Sequence, residues 1–389
     1  MDILTSIGGV FRRIVTRFRE DSFDSLLGIV DTVPSLAGFS LRKDKIFVPF
    51  FIFHLSLLTY IYGVGSFEYQ AKTAKSAGDF IKSFVNVALL VLIANNSHFF
   101  MMKRSLLRST LTEMQNSDKL ARCNPASRLK HKKLCNRIKY IILIFYFVNL
   151  TNASCVYLPS RSNVDVNIYG VTPCYGMGSL TSPKREICKA MLFGQEVTVM
   201  IVVLNFQALL IFVIGHTSLL YQILSDEIMA LNDYDKSMFF NNPVVKDILP
   251  VLIRRHAMIL SIINKCKVLY SVPIGVNFGS NAVCMSLFFY LPLREWIDFF
   301  PILMYCFIVF FLYCFLCQRL TNAAQLFETS VYACGWENFE TNEKKAVYFM
   351  LRQAQKPVEL LAADIIPVNI STFATTLQAM FKFVTVVKV

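Results

Sequence analysis

Apolar runs long enough to cross a bilayer recur along this chain, and they constrain it more than any other feature. An α-helix rises roughly 1.5 Å per residue, so about 20 apolar residues cross a ~30 Å hydrocarbon core. Seven stretches approach that length: 46–66, 80–102, 137–158, 190–215, 268–292, 297–317 and 364–387. The sixth, IDFFPILMYCFIVFFLYCFLC, is the strongest. Of 389 residues, 55% are hydrophobic and only 17% are charged, against about 25% charged in ordinary soluble domains. That composition excludes a soluble globule, and the expectation is an all-α membrane protein with seven transmembrane helices. The opening MDILTSIGGVFRRIVTRFRE lacks the n-region, apolar h-region and cleavage site of a signal peptide, so it is expected to stay attached.

Charge orients the spans. Segment 103–139 holds eleven Lys or Arg and two acids, whereas 159–187 holds three basic residues. Positive charge collects on the cytoplasmic side, so 103–139 is expected inside. A cytoplasmic N-terminus and, after seven spans, an extracellular C-terminus follow. The net charge of +13 therefore reads as membrane topology, with lipid and no nucleic acid as the expected contact. Two inter-span regions have helical patterning with mixed charge, 216–267 and 318–363, the first interrupted at FFNNPVV. Helices continuing past the membrane from spans four to seven would pack there as an intracellular anchor. The expected divisions are 1–45 (cytoplasmic segment), 46–215 (spans one to four), 216–267 (anchor), 268–317 (spans five and six), 318–363 (anchor) and 364–389 (span seven). The competing reading of the anchor regions is independent amphipathic surface helices.

No catalytic constellation emerges. His54, His98, His131, His216 and His256 have no metal spacing, and no HExxH, GxSxG or P-loop occurs. An enzyme, a cofactor and a bound metal are not expected. Cys314-x-x-Cys317 lies inside an apolar run and reads as two small buried hydrophobes. Cys155, Cys174 and Cys188 flank one polar segment, where a disulfide is possible if it faces an oxidising compartment. Asn95, Asn149, Asn152 and Asn369 begin glycosylation triplets but fall in or beside spans, so no glycan is expected.

The last apolar stretch, NISTFATTLQAMFKFVTVV, is only half apolar. At 100° per residue, Ser371, Thr375, Gln378, Lys382 and Thr385 fall within about 80° of one another. Ile370, Phe373, Leu377 and Val384 occupy the opposite arc. A Lys at mid-bilayer costs roughly 2.5–3.5 kcal/mol on insertion scales, so the stripe must face water or protein. Several copies around an axis would enclose an ion pore. The alternative is helix–helix packing, in which Ser and Thr are common.

The C-terminal third resembles the insect odorant receptors. IRRHAMILSIINKCKVLYSVPIGVNFGSNAVC, at 253–284, is similar to that family's fifth-span region. The family's most specific signature is matched by Tyr332, Trp336, Lys344, Lys345, the run Arg352, Gln353, Ala354, Gln355, Lys356, Pro357, and then Thr372 and Phe373. The resemblance implies an odorant-gated non-selective cation channel in the plasma membrane of olfactory sensory neurons. It also implies a heterotetramer with olfactory co-receptor subunits, a pore lined by the last helix, and an odorant pocket in the outer half of the bundle. Aligned with the family, Val386 falls at the closed pore's narrowest point. The outer halves of spans two to five contain Phe84, Val87, Phe145, Tyr146, Asn149, Met191, Val197, Thr198, Ile201, Phe278 and Asn281. These candidates are mostly apolar and suit a small neutral volatile organic ligand. Lys382 stands where the family usually has a small polar residue; a ring of four would repel cations, which implies a tuning subunit rather than a homotetrameric channel. A gustatory receptor channel fits less well, because its Thr-Tyr and Gln-Phe spacing is absent. A G-protein-coupled receptor needs the reverse topology and an Asn-Pro-x-x-Tyr motif that is also absent.

Overall fold

The computed structural model describes residues 22–43, 46–122, 125–161, 164, 169–178, 180–232, 243–291 and 293–387; the opening twenty-one residues and the break at 239–242 lie outside them. In chain order the main helices are α1 (Phe23–Leu36), α2 (Val48–Lys72), α3 (Ala77–Met102), α4 (Arg104–Arg122), α5 (Pro125–Asn152) and α6 (Lys184–Met229). They continue with α7 (Pro243–Phe288), α8 (Leu293–Tyr332), α9 (Thr341–Ala354) and α10 (Ile370–Val387). A short antiparallel hairpin, β1 (Leu361–Ala362) with β2 (Ile366–Pro367), precedes α10. Wide π-helical turns interrupt α2 at Thr59–Val64 and follow α5 at Ala153–Tyr157.

Six helices among the described residues, those containing the first six apolar stretches, are long and apolar enough to cross a membrane. The chain is thus a multi-pass membrane protein. α6 differs from the other five: 78% of its most apolar window is buried by protein, against 28–50% elsewhere. A helix that is apolar on every side is stable only when enclosed, and α6 is the axis around which α2, α3, α5, α7 and α8 pack.

Polar contacts between neighbours set the register of this apolar bundle. The His54 ring joins Thr198 Oγ1 at 2.8 Å and Ser97 Oγ at 3.2 Å, tying α2 to α6 and α3. Asn277 donates to Asn96 Oδ1 at 2.8 Å, between α7 and α3. Tyr146 donates to Asn205 Oδ1 at 2.7 Å, between α5 and α6. Each such bond contributes about 0.6–2 kcal/mol in a membrane, and a one-turn slip would strand the group in an apolar setting.

At the basic end the structure is more helical than charge alone implies. Segment 103–139 is not a loop: it forms α4 and the first turns of α5. Leu107, Leu111, Met114, Asp118 and Ala121 recur at helical spacing and are buried, packing α4 against α6 and α7. α1 also joins this end, with the Phe23 ring 5.2 Å from that of Phe212 on α6. Ion pairs cross between helices here: Arg255 with Glu227, and Lys265 with Glu113 at 2.7 Å. Burial alone would raise the Asp118 carboxyl, but hydrogen bonds from His131 and His216 overcome it and hold that carboxyl below the usual carboxylate range.

The last helix begins later than the apolar stretch does. Ala363 and Asp364 adopt left-handed backbone, φ 51° and 59°, and turn the chain into the hairpin instead of a helix. Asn369 then accepts the Thr372 N–H at 2.8 Å, an N-cap that starts α10 at the next residue. The hairpin sits on α7: Ala363 N–H donates to the Ser271 carbonyl at 2.9 Å, and Ser271 Oγ donates to Asp364 Oδ1 at 2.6 Å. Gly275 makes this approach possible, because a Cβ there would lie 2.8 Å from the backbone nitrogen of Ala363. Gly275→Ala is expected to destabilise the folded chain by about 1–3 kcal/mol through this overlap, read as a lowered midpoint in a detergent thermal-aggregation assay; an unchanged midpoint would contradict it.

Candidate ligand cavity and the polar face of the last helix

The loop between α5 and α6 closes one end of the bundle. A disulfide joins Cys174 in that loop to Cys188 in the first turns of α6, with Cα atoms 5.8 Å apart, whereas Cys155 is a free thiol. The same loop is stitched to the spans: the Thr172 N–H donates to the Gly65 carbonyl at 3.0 Å, and Asn86 donates to the Tyr169 carbonyl.

Beneath this closed end lies a cavity of about 100 Å³. For scale, a cavity of about 150 Å³ in a protein core holds benzene. Its walls come from α2 (Tyr62), α3 (Leu89, Leu92, Ile93), α5 and its following turn (Asn149, Asn152, Ala153), α6 (Glu196, Val199, Met200, Val203, Leu204) and α8 (Pro301, Ile302, Tyr305). The α6 residues recur at three- and four-residue spacing and form one face of that helix.

The polar groups of the lining have defined partners. Tyr62 donates to Glu196 Oε1 at 2.9 Å, and Glu196 is only 1% exposed. Asn149 donates its amide to the Phe145 carbonyl at 2.8 Å, and Asn152 donates to the Pro301 carbonyl at 3.0 Å. The lining expected from sequence carried no charged residue; the cavity contains Glu196.

Of the residues singled out from sequence, the structure places Asn149 in this lining. Phe145 and Tyr146 lie one turn away on α5, where Tyr146 is engaged with Asn205. Thr198 is turned toward His54, and Val197 and Ile201 are not part of the α6 lining. Phe84 is 51% exposed on the outer surface of α3. Val87 and Met191 are half-buried outside the lining. Phe278 packs at a tilt against Phe310 with ring centroids 4.3 Å apart, and Asn281 is fully buried elsewhere on α7. Helical spacing was the signal that would have separated the α6 faces. Nothing in the sequence alone brought α2 or α8 to the cavity.

α10 packs by one face only. Phe373 contacts the rings of Phe307, Phe310 and Phe311 on α8 at 5.3–5.6 Å, and Phe381 contacts Phe289, just past the end of α7, at 5.5 Å. Ser371, Thr375, Gln378, Lys382 and Thr385 are all exposed on the other face. Thr375 donates its hydroxyl to the Ser371 carbonyl at 3.0 Å and Thr385 donates to that of Lys382 at 2.8 Å. With the protons spent on the helix itself, these hydroxyls turn oxygen lone pairs outward. Val386 lies in the last turn of α10, and its side chain falls outside the described residues.

The profile of the 7tm odorant receptor family matches residues 77–381, from α3 to within α10. The chain belongs to that family. This odorant receptor is therefore a receptor and not an enzyme. It is 22% identical over 142 residues to Odorant receptor 22a of Drosophila melanogaster, a match spanning 35% of this chain and 36% of that one. Its fold is similar to the insect olfactory receptor OR5 from Machilis hrabei, with TM-score 0.75 at 15% identity over 92% of this chain and 96% of that one. The same receptor in complex with eugenol matches with TM-score 0.73 at 14% identity over the same shares of both chains. At those identities the likeness shows a shared fold.

Filling the cavity tests its role in this odorant receptor. Met200→Trp is expected to reduce sensitivity to an activating ligand at least tenfold, whereas Phe84→Ala, on the outer surface, is expected to leave it within twofold. Concentration–response curves from the same cells would measure both, and the reverse order would remove the cavity from ligand recognition.

Proposed function

We propose that this odorant receptor is the ligand-tuning subunit of a heteromeric, odorant-gated cation channel, binding a small volatile organic molecule in the cavity and contributing α10 to the pore. The observation that carries the reading is the polar face of α10: it is left uncovered by the chain's own helices while its opposite face is packed. A single helix cannot enclose water, and such a face is costly against lipid. Several subunits around one axis satisfy it, and outward hydroxyl and amide oxygens favour cations. Lys382 on that face opposes cation flow if every subunit carries it. That supports a heterotetramer with olfactory co-receptor subunits in the plasma membrane of olfactory sensory neurons.

The cavity narrows the ligand. Its walls are mostly apolar, with Asn149, Asn152 and Glu196 among their polar members. A small molecule with an apolar body and one hydroxyl fits that arrangement. Burying ~250 Å² of its apolar surface would contribute about 6 kcal/mol before the entropic cost of binding, a reversible affinity suited to a sensor. The eugenol complex of the Machilis receptor supports occupancy of this fold by a small organic molecule.

Orientation follows from two independent features. Disulfides persist in oxidising compartments, which puts the Cys174–Cys188 loop outside, and the basic segment 103–139 puts the other end inside. The Tyr169 ring of that loop meets Phe299 at 5.2 Å, Phe299 meets Phe288 at 5.6 Å, and Tyr290 meets Phe383 of α10 at 6.1 Å. The end of α10 therefore lies toward the disulfide end, which supports the reading of an extracellular C-terminus.

Expressed alone, the chain is expected to give no ligand-evoked current, and with co-receptor subunits a cation current. Lys382→Gln is expected to raise cation conductance of the heteromer several-fold. Large currents from the lone chain, or conductance and selectivity unchanged by Lys382→Gln, would overturn the pore assignment. A C-terminal epitope tag inaccessible on intact cells would overturn the orientation.

A further inference from the structure

The basic end of the bundle contains a side-chain cluster that neither cavity nor pore uses. Asp118 on α4, His131 and Cys135 on α5, and His216 on α6 converge there, each at most 2% exposed. Asp118 Oδ1 accepts from Nε2 of His131 at 2.5 Å and from Nε2 of His216 at 2.9 Å. The Cys135 thiol sulfur lies 3.7 Å and 3.8 Å from the two ring nitrogens of His131. One donor atom from each of His131, Cys135 and His216 lies within 4.8 Å of the other two. The Phe23 ring stands edge-on to His216 at 5.0 Å and makes the outer wall apolar.

A carboxylate bridging two imidazoles can be a finished hydrogen-bond network without any ligand. Two features go beyond that. His216 Nδ1 is fully buried with no hydrogen-bond partner among the described residues, a state that costs about 1–3 kcal/mol. The thiol also sits beside the imidazoles, one helical turn from His131 on the same face of α5. Two imidazoles and a thiolate form a donor set preferred by zinc, with Zn–N near 2.0–2.1 Å and Zn–S near 2.3 Å. Those bond lengths require donors roughly 3–4 Å apart, closer than the 4.8 Å within which these three lie, so the set contracts when it takes an ion. A carboxylate on the opposite ring nitrogen is the usual means of orienting such histidines.

We propose that His131, Cys135 and His216 form a divalent-metal site selective for zinc, with Asp118 as the positioning residue that orients both imidazoles. Binding forms the metal–nitrogen and metal–sulfur bonds and releases the Cys135 thiol proton to solvent. The Cys135 thiolate offsets one charge of the dication, Asp118 is shared with Arg122, whose guanidinium lies 2.6 Å from its Oδ2, and α4, α5 and α6 become cross-linked at the end opposite the disulfide. This site is independent of the ligand and pore readings above.

The test uses the full chain purified in detergent, stripped with a chelator and titrated with Co2+ as a spectroscopic stand-in, alongside elemental analysis of unstripped protein. Near one zinc per chain is expected, together with the visible bands of four-coordinate Co2+ and a near-ultraviolet thiolate-to-cobalt band. Cys135→Ser should abolish the thiolate band, and Asp118→Asn should weaken Co2+ binding about 10–100-fold. Size-exclusion profiles matched to the parent establish that each variant is folded; if Asp118→Asn fails that check, Cys135→Ser, a one-atom change, decides alone. A monodisperse parent that takes up no Co2+ overturns the proposal, as does a Co2+ spectrum unchanged by Cys135→Ser.

Discussion

The enclosure of α6 is the constraint on which the other spans depend. Its central residues, from Val202 to Ile214, are buried without a break, so a complete ring of neighbours must surround it. Apolar attraction cannot choose how those neighbours are rotated, because lipid solvates leucine as well as another helix does. The few polar contacts choose instead. His54, Asn96, Asn205 and Glu196 each find a partner in one register only. The same contacts that align the bundle leave a cavity between α2, α3, α5, α6 and α8, so the proposed ligand site is a by-product of how the axis is packed.

α8 links that cavity to the last helix. Pro301, Ile302 and Tyr305 line the cavity, and Phe307, Phe310 and Phe311, within the next two turns, carry Phe373 of α10. A helix transmits displacement along its length more readily than a loop does. α10 is meanwhile pinned at its start by the hairpin on α7, through Ser271 and Gly275. At its far end Phe381 and Phe383 meet Phe289 and Tyr290, so α10 is held at both ends and along α8.

The two ends of the bundle use cysteine in opposite ways. The disulfide end covalently fastens its loop to α6, while the basic end keeps Cys135 as a thiol amid charged and imidazole groups. Such a division suits a protein whose ends face compartments of different redox state.

Much of this architecture was legible in the chain itself. Six apolar runs became six long helices because a bilayer leaves backbone polar groups no partner outside the helix. The polar stripe of α10 was readable because helical geometry alone places Ser371, Thr375, Gln378, Lys382 and Thr385 on one side. The helical character of 103–139 was also present in the spacing of Leu107, Leu111 and Met114, hidden behind a density of charge. Membership of the cavity was not legible: Asn149 was found from sequence, but Tyr62, Glu196 and Tyr305 come from helices whose rotation depends on partners far along the chain. The same holds for His131, Cys135 and His216, which show no metal spacing as a set because the third donor arrives on another helix. Secondary structure here follows from local chemistry and the solvent, whereas a site is a convergence of helices, and convergence is decided by packing.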